Sequence, residues 1–349
     1  MTIPTVQVAG QPVGKVATGL MRLTYGQVHT PEDQAVELMK TAIDAGSNLF
    51  NSGAFYAKGP DRMKNLVLIS RFMEKYPEYK DKFFLCVKGG VTPQYTLDAS
   101  VEYLREELKA VNDKLKYRKI DMFEMGRVDT KVGIEQLFLA KLPLTAPRRP
   151  PQTMKNLLVL RDEGHFKYIS LSEVSPDSIH RAAAIAPISA VEVEYSPFTR
   201  DIETNGVLDA CKELDIPILA YSPLGMGFLG NTWKTKEDIP EGDDRRSYDR
   251  MSEEHFEHNM ALARKLGALA EKKGITAAQL AIAWVGAQWE KIIPLPGSTQ
   301  PDRVKQAAEA AHIQLSAADL KEIREVIETF DVKGVRYVNN AHVQGMLFG

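Results

Sequence analysis

The chain has 349 residues, 44% hydrophobic and 26% charged, with a formal net charge of −2. That is the composition of an ordinary globular protein, long enough for one large domain or two medium ones. Charge so near balance speaks against nucleic acid or a membrane surface as the main partner.

Residues 5–14 read as two short strands turning at Gly10-Gln11, a hairpin plug. An apolar run followed by a helix-period segment then recurs eight times. "KVATGL" leads into "TPEDQAVELMKTAIDAG", with Thr30 as N-cap and Asp33 in a capping-box-like position. "SNLFNS" precedes "NLVLISRFMEKY", "KFFLCVKGG" precedes "TLDASVEYLREELKAVNDKL", and "KIDMFEMGRVD" precedes "TMKNLLVLRDEG". "KYISLSEV" leads into "SPDSIHRAAAIA", which has a serine cap and a proline at its first helical position. "ISAVEVEYSP", "IPILAYSPLG" and "KIIPLPGST" open the last three units.

Eight strand–helix units over about 300 residues predict an α/β fold of the closed (β/α)8 TIM-barrel type. An open doubly wound sheet is the competitor, but no G-x-G-x-x-G opens a helix. The expected organisation is one barrel domain over residues 1–349, with a C-terminal loop or tail. Residues 137–152, Pro-rich and basic with neither period, read as an atypical insertion or a gene-model artefact. Cys86 and Cys211 sit far apart in apolar segments and read as reduced, buried thiols. With no signal-peptide pattern and no run of about 18 apolar residues, the expected compartment is the cytoplasm, with the nucleus second.

Barrels of this kind do chemistry at the carboxyl ends of their strands. There the sequence places Asn51 and Tyr56, Lys88, Arg127 with Asp129, Ser172 with Glu173, Glu192 with Tyr195, the run Tyr221–Gly225, and Ser298 with Thr299. A lysine, an arginine and a tyrosine converging on one mouth suggest an enzyme. None of the histidines at 29, 165, 180, 255, 258, 312 and 342 ends a barrel strand.

The motifs "NSGAFY", "CVKGG", "YSPLGMG" and "PGSTQPDRVKQA" resemble those of the aldo-keto reductases, a barrel family that uses NADPH without a separate nucleotide domain. The resemblance covers nearly the whole chain and implies a role for each matched residue. Tyr56 would be the proton donor, Lys88 its partner, and Tyr221 the aromatic against the nicotinamide, within the motif that continues through Ser222, Leu224 and Gly225. Ser298, Thr299 and Arg303 would hold the adenosine phosphate, and Ser172, Glu173 and Glu192 the carboxamide. Two positions depart from the family pattern: Asn51 stands for its aspartate and Arg127 for its histidine. These departures, with "LSEVS", "VEVEYSPFTRDIETNG" and "GVRY", resemble the fungal pyridoxal reductases. That implies reduction of pyridoxal to pyridoxine with NADPH, in vitamin B6 metabolism.

A cation beside a tyrosine lowers its pKa from about 10 and eases proton donation. With Asn51 neutral, the charge of Lys88 is expected to be uncompensated, and Arg127 adds a second; with Tyr56 neutral the four side chains sum to +2. Such a site favours a substrate with negative charge beside its carbonyl, as the 3-hydroxyl of pyridoxal provides on ionising. Arg127 could instead pair structurally with Asp129, Asn51 could merely hold a turn, and Arg303 could be a solvated helix-start arginine. Tyr195 reads as core and Arg336 as a weaker candidate. Glu173 and Glu192 can accept from the carboxamide nitrogen but cannot donate to its oxygen, which leaves that to Ser172. The competing functions are a reductase of another aryl or anionic aldehyde and a slow, NADPH-sensing regulatory subunit. The expected partner is a small aldehyde, with no metal and a monomer or weak homo-oligomer.

Overall fold

The computed structural model describes residues 3–26, 30–129, 152–230, 233–340 and 347. An antiparallel hairpin comes first, β1 (Thr5–Val8) and β2 (Gln11–Gly14). Its two turn residues are Ala9 and Gly10, both at positive φ (52° and 72°), so the turn sits one residue earlier than the sequence suggested. Two left-handed central residues make the tight turn whose twist suits a hairpin.

Eight parallel strands follow: β3 (Thr18–Gly19), β4 (Leu49–Gly53), β5 (Phe84–Gly89), β6 (Met122–Met125), β7 (Tyr168–Ser172), β8 (Ile188–Glu194), β9 (Ile218–Tyr221) and β10 (Ile292–Leu295). Each pairs with the next in sequence. The ring closes where Gly19 bridges Gly297 and the Ala17 and Gly19 amides donate to Pro294 and Pro296 (both 2.9 Å). The chain therefore folds as the expected (β/α)8 barrel. Strands such as β5, FLCVKG, are buried at every position because lumen lies on one side and helices on the other.

The helices show why they pack outside. Val101–Leu115 starts at Ser100, whose hydroxyl accepts from the Tyr103 amide (3.4 Å), and buries Leu104, Leu108, Val111 and Leu115 along one stripe. Each such leucine contributes about 2 kcal/mol of burial. Pro176–Ala183 is capped by Ser175 with Pro176 at its first position, as its sequence indicates. The helix Glu32–Asp44 differs from expectation: Pro31 occupies the cap position, no side chain caps it, and Asp33 instead pairs with Lys75 (3.0 Å). Thr30 stands one residue too early to cap. The helix Ala317–Glu328 stands beyond the eight units expected from the sequence, and Ser316 and Asp319 form a reciprocal capping box at its start. Of the suspected insertion only Gln152 is described, as the first residue of helix Gln152–Asp162; the rest lies outside the described residues.

Inside the barrel, side chains alternate in layers because a strand repeats every two residues. The lowest layer is apolar: Leu49, Cys86, Met122, Ala190, Leu219 and Ile293 pack against Val6, Val8 and Val13 of the hairpin. Two residues further along β4, β5, β6 and β8 come Asn51, Lys88, Glu124 and Glu192. The strand period thus builds a polar layer directly on an apolar floor.

Candidate active site

Tyr56 reaches this layer because the strand before it ends in glycine. A Cβ on Gly53 would lie 2.8 Å from the Tyr56 ring, so only glycine lets the ring lie across the end of β4. Thr24 donates to the Tyr56 carbonyl (2.6 Å) and Phe55 meets the ring edge-on at 5.3 Å. Tyr56 ends 6% exposed, with its hydroxyl 3.4 Å from Asn51 Oδ1.

Lys88 Nζ lies 2.8 Å from Glu124 Oε1, 3.3 Å from Asn51 Oδ1, and against Glu192 Oε1. Asn51 Nδ2 donates to Glu192 Oε2 (2.6 Å) and Glu124 Oε1 (3.2 Å), and Ser170 Oγ donates to Glu124 Oε2 (2.8 Å). Asn51 is thus the hub that orients Lys88, both carboxyl groups and the Tyr56 hydroxyl. Two expectations fail here. The lysine charge is compensated, by carboxylates from β6 and β8 rather than from β4. With both counted as ionised, Lys88, Arg127, Glu124 and Glu192 sum to zero instead of +2. Nor does Tyr56 come out more acidic. Burial raises its pKa, Lys88 pulls it down, and Glu192 and Glu124 push it back up, with a net rise. Lys88 itself is pulled down by burial but held well above its usual value by the two carboxylates.

Glu124 was missed in the sequence. Its signal is one acid at the inward-facing position of an otherwise apolar strand, MFEM, two residues beyond Met122.

Above this layer Arg127 stands half-buried, with Nη1 donating to the Gly126 carbonyl (2.6 Å). Its charge acts on Tyr221, Tyr337, Glu173 and Glu192. No ion pair joins it to Asp129, which accepts from the Ala99 amide (3.0 Å). Glu173 has other partners than a carboxamide: Arg336 Nη2 (2.7 Å), the Tyr221 hydroxyl (2.7 Å) and the Glu194 amide (3.0 Å). Glu192 is likewise engaged, by Lys88 and Asn51. Arg336 also lies 3.6 Å from Glu194, and Tyr337 shares a hydrogen bond with Tyr221 (2.7 Å). The C-terminal segment thereby forms one wall of the mouth. Three residues around the mouth, Glu173, Ser222 and Tyr337, hold positive φ near 51–59° without being glycine. Such backbone costs about 1–3 kcal/mol each and gathers at functional sites. Tyr195, by contrast, is core, its ring tilted against that of Trp284 at 5.5 Å.

Beside the mouth runs a cleft of about 630 Å³, lined among others by Thr30, Leu224, Ser298, Thr299 and Arg303. Gly225 and Ser222 shape the turn after β9: the Gly225 amide donates to Ser222 O (2.9 Å), and a Cβ on Gly225 would strike Phe198 at 2.7 Å. Helix Pro301–Glu309 opens on the cleft with no side chain capping its first turn. Its amides and dipole suit an anion. Arg303 on that turn is exposed and has no ion pair among the described residues. Across the cleft, Arg22 (2.7 Å) and Arg245 (2.6 Å) both bind Asp243, tying the loop after β3 to the loop after β9.

A dinucleotide phosphate fits the Arg303 end of this cleft. At the end of β7 the Ser172 hydroxyl is buried and has no hydrogen-bond partner among the described residues, although buried hydroxyls are normally satisfied. Its hydrogen-bonding capacity is left for a ligand.

Comparison with known proteins agrees with this geometry. The sequence model of the Aldo/keto reductase family matches residues 15–328. A Schizosaccharomyces pombe protein named probable pyridoxal reductase 2 is 38% identical over 340 residues, covering 95% of this chain and 96% of that one. A second protein of that yeast, an aldo-keto reductase named for NADP(+), is 34% identical over 97% of this chain and 95% of its own. The structure of a glycerol dehydrogenase from Gluconobacter oxydans superposes with a TM-score of 0.79 at 20% identity, over 98% of this chain and 100% of that one, and shows the shared fold. The chain belongs to the aldo/keto reductase family, oxidoreductases that use NADPH.

Proposed function

We propose that the protein reduces pyridoxal to pyridoxine, with Tyr56 as proton donor. The observation that carries the substrate is Arg127, a guanidinium at the mouth that makes one backbone hydrogen bond and no ion pair among the described residues. Its remaining donors form a planar fork able to take two oxygens at once. Pyridoxal offers such a pair, an aldehyde oxygen and an ionised ortho hydroxyl. The relative named a probable pyridoxal reductase supports the same reading. Because the layer below is charge-compensated, the preference for an anionic substrate rests on Arg127 locally and not on net charge.

NADPH, when bound, supplies the hydride. Ser172 would hold its carboxamide, Tyr221 its ring, and Ser298, Thr299 and Arg303 the adenosine phosphate. Arg127 stabilises negative charge developing on the aldehyde oxygen. Tyr56 then gives up its proton, with Lys88 beside it stabilising the phenolate left behind.

The test follows NADPH consumption with pyridoxal and with an aryl aldehyde lacking the ortho hydroxyl, for wild type, Tyr56→Phe and Arg127→Met. Tyr56→Phe should lose on the order of 10²-fold or more on both. Arg127→Met should lose far more on pyridoxal; equal losses on the two aldehydes would sink the assignment of substrate. Tight NADPH binding without turnover of any aldehyde would favour a sensor.

A further inference from the structure

The polar layer contains more acid than the reaction above uses. Glu124 and Glu192 arrive from different strands, both 3% exposed or less, yet reach the same ammonium and the same amide nitrogen. At this range Glu192 feels the charge of Glu124. Two ionised carboxylates crowded onto the same two donors repel, and a proton on one of them removes that repulsion. Charge counting agrees. Lys88 is the one cation in ion-pair contact with the two acids among the described residues, so a second buried carboxylate would depend on the more distant Arg127, an arrangement that burial disfavours.

The two carboxyls are not equivalent. Glu124 accepts a further hydrogen bond from Ser170 (2.8 Å), a donor that favours its ionised form. Burial and the charge of Glu124 push Glu192 up to about 8. The other titratable groups facing the pair are Lys88 and Cys86 from β5, Tyr56 after β4 and Arg127 after β6. Burial keeps the Cys86 thiol neutral, so Lys88 and Arg127 are the only cations among them.

We propose that Glu124 and Glu192 share one proton, carried by Glu192, and that this pair restores the proton of Tyr56 through Lys88 after each reduction. The inference rests on Tyr56 being the donor. The Tyr56 O–H bond breaks as its proton passes to the alkoxide oxygen of the product. Lys88, whose charge acts on Tyr56 and which shares Asn51 Oδ1 with its hydroxyl, gives an N–H proton to the phenolate. The Glu192 O–H bond then breaks as its proton passes to the lysine amine. Both carboxyls are ionised at that point, and the pair takes one proton back from water once product leaves. Glu124 and Glu192 are positioning residues in this scheme, acting on substrate only through Lys88.

Infrared difference spectra of the cofactor-free full chain test the shared proton without relying on turnover. As pH rises from about 6 to about 10, the wild type should lose protonated-carboxyl absorption in two steps, one centred near 7 from Glu107 and one near 8 from Glu192. Isotope-labelled glutamate should shift both bands in the wild type, so the measurement does not depend on a variant folding. Glu192→Gln should abolish the later step, while Glu107→Gln should remove only the earlier one. A later step that survives Glu192→Gln, or none at all, overturns the pair. In turnover with pyridoxal, Glu192→Gln should lower kcat about 10-fold with KM within about 2-fold, and flatten the alkaline limb of the kcat profile. An unchanged profile overturns the relay. If the later step behaves as expected while the wild type reduces no aldehyde, the shared proton stands and the reading of Tyr56 falls, taking the relay with it.

Discussion

Removing Arg336 should unfasten the C-terminal wall of the mouth. Its guanidinium sits between Glu173 and Glu194, two side chains at 0% exposure, with contacts at 2.7 and 3.6 Å. In Arg336→Met both carboxylates lose this cation. Breaking one partner out of a buried ion pair costs roughly 3–5 kcal/mol, out of a total stability that is typically about 5–15 kcal/mol. The segment has a way to limit that loss, since residues 333–337 are otherwise held by hydrogen bonds to Asn259, Asp249, Arg250 and Tyr221 and can detach locally, letting water reach both acids. Denaturant unfolding and limited proteolysis of the C-terminal segment, read together, separate the two responses. A stability loss of about 3 kcal/mol with the segment protected means global strain; a smaller loss with rapid cleavage means local release. The sign with pH is also fixed. Arg336 and Arg127 outweigh burial and hold Glu173 below its usual pKa. Its stabilisation is present above the unfolded value of about 4 and disappears as pH falls through the folded value, so the gap between wild type and variant should narrow in acid. Adding Glu173→Gln should recover part of the loss. A variant within about 0.5 kcal/mol of wild type and equally resistant to protease would refute the reasoning.

Three further outcomes follow from the geometry. Asn51→Asp, which restores the family's usual residue, should lower both stability and kcat, because it replaces a donor to Glu124 and Glu192 with a third acceptor; higher activity in that variant would show the acid pair does not replace the aspartate. Glu107, 6% exposed and bonded to the Gly90 amide (2.6 Å), is pushed up to about 7 chiefly by burial. Its contribution is fully present below the unfolded value of about 4.5 and lost as pH rises through about 7, on the order of 3 kcal/mol in all, so Glu107→Gln should flatten the fall in stability over that window as read by denaturant midpoints. Arg303→Met should weaken NADPH binding about 10-fold or more by fluorescence titration while leaving NADH nearly unchanged; equal weakening would take the arginine off the extra phosphate.

The barrel and the strand ends were legible because two independent signals agreed: eight apolar runs before helical periods, and motif residues falling just past them. The sequence also placed Tyr56, Lys88 and Asn51 at one mouth. It did not reveal who neutralises Lys88, because Glu192 matched a carboxamide position and Glu124 lay inside an apolar strand whose inward face cannot be told from its outward face without register. A parallel strand buried on both sides lacks the alternation that would have distinguished them. Arg336 stood out only as a weaker candidate, and its partners were hidden for another reason. It lies in a segment without a period, more than a hundred residues from the acids it binds, and pairings of that kind leave no local trace.

The floor of the barrel has a consequence for traffic. Val6, Val8 and Val13 seal the end opposite the mouth against a ring of apolar side chains. The lumen is therefore a dead end: cofactor, aldehyde, alcohol and every exchanged proton must use the same opening, one after another. An occupant that fills the mouth would cut the interior off from bulk water, fixing the supply of mobile hydrogen inside until it departs. The hairpin turn at Ala9 and Gly10, on the far side of that seal, is accordingly the place where a fused label would leave the traffic undisturbed.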